Sequence, residues 1–438
     1  MTDLGALLAE ATRAAGVPGA VLGVWVDGRE TVQACGVLST RTGVAVTPDS
    51  VFQIGSITKT WTATMLAQLV DEGRLSYDAT VADVLPGVRL GVDDRSDRVT
   101  VRHLLTHTSG IDGDIFVDTG RGDDCIERYV TLLADAAQIT EPGEVYCYCN
   151  SGFVLLGRMI EVLDGSVWDD ALRTRLVEPL GLDDVCLLPE DAILRRAAVG
   201  HHEHPHTDRP FDQWMLPRSL GPAGLITTTA HDLLGYARMH LDAGPPSLME
   251  MRGPQGVVPN PKAFDRIGLG WRLGDWDGVR VLAHDGATLG QTAMLRVVPE
   301  RGFSCCLLTN SAEGESLAER VLPEVFASYA DLAVPEGPRP DLDARPGDLD
   351  RLAGRYHRRA VDFEVTTGDG GLTIEVLPAA DLPWAGEAET MRMLPADAGG
   401  RRFVGRAAEG LPWWPVEFGE LDDGRAYLCS GGRIALRG

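Results

Sequence analysis

Apolar positions change period along this chain, and the changes mark its elements. The first residues, to about residue 15, predict an amphipathic helix. Gly19–Val26 is a near-continuous apolar run and predicts a strand; Asp27-Gly28 is a hairpin turn, and residues 31–35 are the return strand. From Gly55 the period lengthens. Trp61, Met65, Leu66, Leu69 and Val70 form a helical stripe that stops at Gly73, a helix-ending glycine. Residues 101–106 predict a short helix. Phe153, Leu155, Leu156, Met159, Ile160 and Leu163 line a further helix, and residues 232–241 another. Strands return at 268–273, 280–284, 291–298 and 303–308, with turns at Asp277-Gly278, between Gly286 and Gly290, and at Glu300-Arg301-Gly302. Residues 316–332 predict a closing helix.

Strands thus come from both ends of the first 332 residues and helices from the middle. That order predicts an α+β fold, an α/β sandwich whose antiparallel sheet is flanked by helices. Residues 333–347 are proline-rich and read as a linker. Beyond them, residues 348–438 show short strands at 362–367, 372–377, 402–406, 416–418 and 426–429, separated by Gly and Asp turns. They predict a small all-β barrel or sandwich with no constellation of its own. Trp384, Trp413 and Trp414 there read as core or interdomain contacts. The expected division is therefore 1–332, 333–347 and 348–438.

With 438 residues, 44% hydrophobic and 24% charged, the chain has the composition of a soluble globular protein. A net charge of -24 disfavours nucleic acid and anionic membranes as partners. The N-terminus shows neither a basic region nor an apolar leader, so a cytoplasmic location is expected. The eight cysteines lack C-x-x-C spacing and read as free thiols.

The candidate chemistry begins at Ser56. It follows Gly55 at the start of the predicted helix, and Lys59 lies three residues on, on the same helical face. Free N–H groups and the dipole at a helix start favour the negative charge of an acyl-transfer transition state. Lysine is rare here. Lys and Arg total 40, yet lysine occurs only at Lys59 and Lys262. Arginine serves a solvated ion pair as well but cannot be deprotonated. A lysine placed after a helix-start serine therefore points to proton transfer, against the plainer reading of a capping serine with a solvated lysine.

Two further stretches complete a set: Tyr148-x-Asn150 and His284-Asp285-Gly286. With Ser56-x-x-Lys59 they resemble the signature of the serine β-lactamase and penicillin-binding-protein superfamily. The class C β-lactamase and esterase branch is the nearest in pattern. Residues 104–110, 150–157 and 268–271 are also similar to that family. The resemblance covers residues 1 to about 332, and the tail is similar to the lipocalin-like barrels appended to some members. It implies a sheet flanked by helices with an all-helical subdomain. It implies Ser56 as nucleophile, Lys59 or Tyr148 as base, Tyr148 as proton shuttle, and Asn150 orienting Lys59 and substrate. The oxyanion hole would be the backbone N–H groups of Ser56 and Ala287. His284 would complete the catalytic set, Asp285 and Gly286 would line the substrate, and no cofactor is needed.

One departure stands out. The family's β-lactamases usually carry lysine where this chain has His284, so anion binding should be weaker and an efficient β-lactamase is not expected. Such members are more similar to esterases, D-amino-acid amidases, transacylases and peptide-cyclising thioesterases. The expected activity is acyl transfer from a small ester, thioester or amide to water. The alternative is transfer to an amine acceptor. A non-catalytic binding protein on the same fold is the competing class. The long loop 111–124 carries Asp112, Asp114, Asp118, Asp123 and Asp124; it is either a site loop, with Asp114 at the substrate, or a solvated acidic surface. His201, His202, His204 and His206 raise a metal site, but no carboxylate or regular element supports it, and none is expected.

Overall fold

Both ends of the first 332 residues meet in one sheet. The computed structural model describes residues 2–202, 206–259, 263–368, 371–379, 388–409 and 411–438. The sheet strands are β1 (Gly19–Val26), β2 (Arg29–Gly36), β3 (Gly256–Val257), β4 (Arg266–Ile267), β5 (Arg272–Trp276), β6 (Val279–Ala287), β7 (Thr292–Val298) and β8 (Phe303–Thr309). Their order is β2-β1-β8-β7-β6-β5-β4-β3, antiparallel throughout. β1 is a near-continuous apolar run because both of its faces are covered. Ala20, Leu22 and Val24 face α1 (Leu4–Ala14) and the closing helix; Val21 points into the larger core on the other side.

That larger core is built around α2 (Thr58–Asp71), which is buried on almost every side rather than along one stripe. Its threonines satisfy themselves locally: Thr60 Oγ1 donates to the Ile57 carbonyl, Thr62 Oγ1 to that of Pro222, and Thr64 Oγ1 to that of Thr60, each at 2.8 Å. Against α2 pack α3 (Asn150–Asp164) and α4 (Ala230–Arg238). The glycines at the helix ends, Gly73 after α2 and Gly165 after α3, take the left-handed φ that ends a helix. The closing helix α5 (Gly314–Tyr329) begins slightly earlier than the periodicity suggests.

Residues 354–437 form a closed antiparallel barrel of eight strands. These are β9 (Gly354–Arg358), β10 (Val361–Gly368), β11 (Gly371–Pro378), β12 (Glu389–Pro395), β13 (Arg402–Gly405), β14 (Trp414–Glu420), β15 (Ala426–Ser430) and β16 (Arg433–Arg437). β9, β12 and β16 do not stand out in the sequence because each offers few inward apolar side chains, such as Tyr356 on β9 and Met391 and Met393 on β12. Closure pairs β9 with β16 and removes the free edges. Tyr356, Phe363, Met393, Phe403 and Phe418 fill the interior. Trp414 stacks on Phe363 and so belongs to the barrel, not to a contact between units; Trp413 lies 4.7 Å from Arg406, and Trp384 is outside the described residues.

The barrel docks on the segment before α3. Ile139 and Cys147 pack with Leu421, Tyr427, Cys429 and Ile434. The Arg359 N–H donates to Asp112 Oδ2 at 2.7 Å and the Asp422 N–H to Glu144 Oε1 at 2.9 Å. Among the described residues, no helix is long and apolar enough to cross a membrane.

Candidate active site

Ser56 lies in a single 3-10 turn, Gly55–Ile57, just ahead of α2 rather than inside it. Two contacts fix the turn. The preceding Phe52–Gln53 pairs with Thr227–Thr228, and the Ile54 N–H donates to the Ile226 carbonyl at 2.9 Å. On the other side the end of β6 runs against it. A Cβ on Gly286 would stand 1.8 Å from the Ile54 carbonyl oxygen and 2.9 Å from the Ser56 nitrogen. Gly55 has φ +52, and a Cβ there would meet the Ala287 nitrogen at 2.6 Å. Two small residues therefore bring the Ser56 and Ala287 backbones side by side.

Lys59 is fully buried one turn on. Its Nζ donates to the Ala223 carbonyl at 2.6 Å and stands 2.9 Å from Ser56 Oγ. Burial, then the positive charge of Arg433, holds its pKa well below the usual 10.5, against the pull of Asp114. Tyr148 is hydrogen-bonded to Ser56, and its ring centroid lies 4.9 Å from Lys59 Nζ. Burial pushes its phenol up, opposed by the Ser56 bond and by Arg433 and Arg272.

Asn150 opens α3, and its amide nitrogen is turned to Asp114. Nδ2 donates to Asp114 Oδ1 at 3.0 Å. Asp114, expected at the substrate, is buried, and its carboxylate is engaged by the barrel. Arg433 Nε lies 2.7 Å from Oδ2, off the axis of a linear hydrogen bond, and Arg433 Nη2 donates to Oδ1 at 3.3 Å. Arg358 Nη1 follows at 3.7 Å. Asp112 faces the barrel too, whereas Asp118 and Asp123 are exposed and Asp124 is partly exposed; the loop is half site wall and half solvated surface.

His284 is buried on β6, and its Nδ1 meets the Asp285 carbonyl at 2.7 Å. Burial, with Arg272 and Lys59, pulls its pKa to about 3, so the ring is neutral. For Asp285, burial favours the acid, but Arg296 at 2.5 Å and Arg272 outweigh it and hold the carboxyl below its usual range.

Several site residues have no counterpart in the expectations. Arg272 on β5 reaches Tyr146 and the charges around Tyr148. Its charge is felt by both Tyr148 and His284, so the site is less poor in positive charge than the third motif alone suggests. His107 sits under the site at φ 57, with its ring centroid 4.3 Å from that of Tyr148 and its Nδ1 accepting from the Cys149 N–H at 3.1 Å. His107 lies within the family-like stretch 104–110, and Arg272 directly follows the stretch 268–271. Arg433 had no such signal, because it comes from the barrel that reads as lacking a constellation.

The histidine loop goes elsewhere. His201 is buried, with Nδ1 2.9 Å from the Asn310 carbonyl oxygen; His202 stacks on Phe211; His204 lies outside the described residues. Among the described residues no cluster of three or more His, Cys, Asp or Glu could hold a metal ion.

The Beta-lactamase family profile matches residues 4–328. The chain belongs to the Beta-lactamase family. This β-lactamase-family chain is 45% identical over 356 residues to Penicillin-binding protein 4 of Amycolatopsis lactamdurans, spanning 78% of itself and 93% of that relative. The solved structure of SurE superposes with TM-score 0.79 at 28% identity, covering 99% of this chain and 98% of SurE, barrel included; SurE with D-Leu gives 0.75 at 29%. A D-stereospecific amidohydrolase from Streptomyces sp. gives 0.60 at 27%, covering 72% of this chain and 97% of that one. The β-lactamase-family enzyme is thus a serine hydrolase or acyltransferase of β-lactamase-like fold.

Proposed function

We propose that this enzyme opens an ester, thioester or amide by forming an acyl-enzyme on Ser56. The observation that carries the reading is Lys59 Nζ at 2.9 Å from Ser56 Oγ, fully buried, with its pKa held well below the usual range by burial and by Arg433. The Ser56 hydroxyl gives its proton to Nζ as Oγ attacks the carbonyl carbon. The carbonyl oxygen becomes an oxyanion between the Ser56 and Ala287 N–H groups. Tyr148, held as a neutral phenol, gives a proton to the leaving group and recovers one from Lys59. A carboxylate on the substrate would meet the fixed cations Arg272 and Arg433. The acyl group is that of a D-amino acid or a D-configured peptide; the likeness to SurE with D-Leu and to the D-stereospecific amidohydrolase supports this. Water resolves the acyl-enzyme.

A second reading passes the acyl group to an amine. The barrel turn favours it, because Gly432 bonds the Tyr148 backbone and Arg433 lies over the Tyr148 ring, which sets barrel atoms beside the nucleophile's partner. On either reading the chain is organised as a catalytic unit at 1–332, a linker at 333–347 and a barrel at 348–438 whose turn borders the site at Tyr148 and Asp114. The test is intact-protein mass spectrometry of wild type and Ser56→Ala after incubation with a fluorophosphonate and with p-nitrophenyl esters of N-acyl-D- and N-acyl-L-amino acids. The expected adduct forms on wild type only and faster with the D esters. Adding an amine to the acylated protein then yields the free acid if water resolves it, or the amide if the amine does. No adduct with any reagent would overturn the reading.

A further inference from the structure

The hairpin turn between β15 and β16 meets the Tyr-x-Asn stretch at Tyr148 directly and at Asn150 through Asp114. The Gly432 carbonyl accepts from the Tyr148 N–H at 2.8 Å. The next residue, Arg433, lays its guanidinium over the Tyr148 ring, 4.6 Å from the centroid. It also grips both oxygens of Asp114, and Oδ1 receives the Asn150 amide as well. Gly431 and Gly432 have φ +57 and +74, so the turn is of the positive-φ kind that glycine enters with least strain.

We propose that Arg433, carried in by the barrel, is a positioning residue for acylation: it clamps Tyr148 and Asn150 together and sets a permanent positive charge against Lys59. The inference rests on the reading of Lys59 as base. The contacts run without a gap from Arg433 to the Tyr148 ring and, through Asp114, to Asn150, so removing that one side chain frees the ring face and loosens the carboxylate that holds Asn150. The same charge favours the neutral amine of Lys59 and the phenolate of Tyr148, the two forms a proton relay passes through. The charged and titratable groups facing Lys59 are Arg433 from the barrel, Arg272 from β5, Asp114 and His107 from the loops, Tyr148 and Cys149 before α3, and His284 from β6. Of these, Arg433 ranks directly after burial in keeping the proton off, and Asp114 acts in the opposite sense.

The opposite signs give the test. The kcat/KM for a p-nitrophenyl ester is followed from about pH 5 to about pH 10 for wild type, Arg433→Gln, Arg433→Lys and Asp114→Asn. Arg433→Gln is expected to move the acid limb to higher pH by about one unit. Arg433→Lys keeps the charge and should leave the limb near that of wild type while lowering its height, because an ammonium cannot hold Asp114 with a planar fork. Asp114→Asn should move the limb to lower pH. A structural disturbance would not produce shifts of opposite sign. If Arg433→Gln fails to fold, judged by circular dichroism, Asp114→Asn alone decides: no downward shift overturns the proposal. Limbs that stay in place, or that move together, also overturn it. If Lys59→Arg retains the wild-type limb, the base reading fails instead, and that outcome is separate.

Discussion

Lys59 gives one N–H to the Ala223 carbonyl at 2.6 Å. In a neutral amine that bond turns the lone pair away from Ala223 and leaves it for the Ser56 hydroxyl, 2.9 Å away. The same carbonyl would also solvate an ammonium ion, so the ground state and the protonated intermediate share one anchor. Little has to move during the proton transfer, which is the economy that preorganised sites exploit.

Replacing Lys59 by Arg keeps the charge and the approximate reach but removes the base. Acylation measured by the p-nitrophenolate burst should fall far below a tenth of wild type, a loss well above about 1.4 kcal/mol. A variant within tenfold of wild type would contradict the role of Lys59. In wild type, the rate should rise with pH as Lys59 loses its proton, since the neutral form is the active one.

His284 makes the fold acid-sensitive. Its folded pKa of about 3 lies below the ordinary 6.5, so the unfolded chain binds the proton first. Stability is therefore fully present above about pH 6.5 and lost as pH falls through that window, by about 2 kcal/mol at about pH 5. Urea unfolding at about pH 7.5 and about pH 5 should show His284→Gln losing about that much less than wild type between the two. Equal losses in both proteins would contradict the assignment.

Gly286 is tightly enclosed by the nucleophile turn. A methyl group at 1.8 Å from the Ile54 carbonyl oxygen must push β6 away from Ser56 and widen the gap between the Ser56 and Ala287 N–H groups. Gly286→Ala should lower kcat by about 10²-fold or more, the scale of losing an oxyanion-hole donor. Binding of a substrate-like inhibitor, measured by calorimetry, separates this from a lost pocket: near-normal kcat with weakened binding would rule the explanation out.

Chelation should leave the activity unchanged. His201 is taken up by Asn310 and Thr40, and His202 by Phe211. Assay after extended dialysis against a strong chelator checks this. A loss restored by zinc would revive a metal role for the histidine loop.

The readable parts of the site were the local ones. Ser56 and Lys59 are joined by one helical turn, and Tyr148 and Asn150 flank the start of α3, so their spacing along the chain nearly fixes their spacing in space. The helix α2 was legible as a helix but not as a helix buried all round, because its threonines satisfy their hydroxyls on the backbone and so do not need water. The barrel was legible as all-β, yet strands such as β9 and β16, rich in arginine, gave little alternation to read.

The sequence by itself determined the order of strands and helices, the family, and the pairing of Ser56 with Lys59 as candidates for nucleophile and base, because each follows from periodicity or from groups a few residues apart. Only the tertiary structure decided what surrounds them. Asp114 and Arg433 lie 319 residues apart, and nothing in their local spacing links them. Their pairing exists because closing the barrel aims one turn at Tyr148, and burial makes that charge felt where water would have screened it.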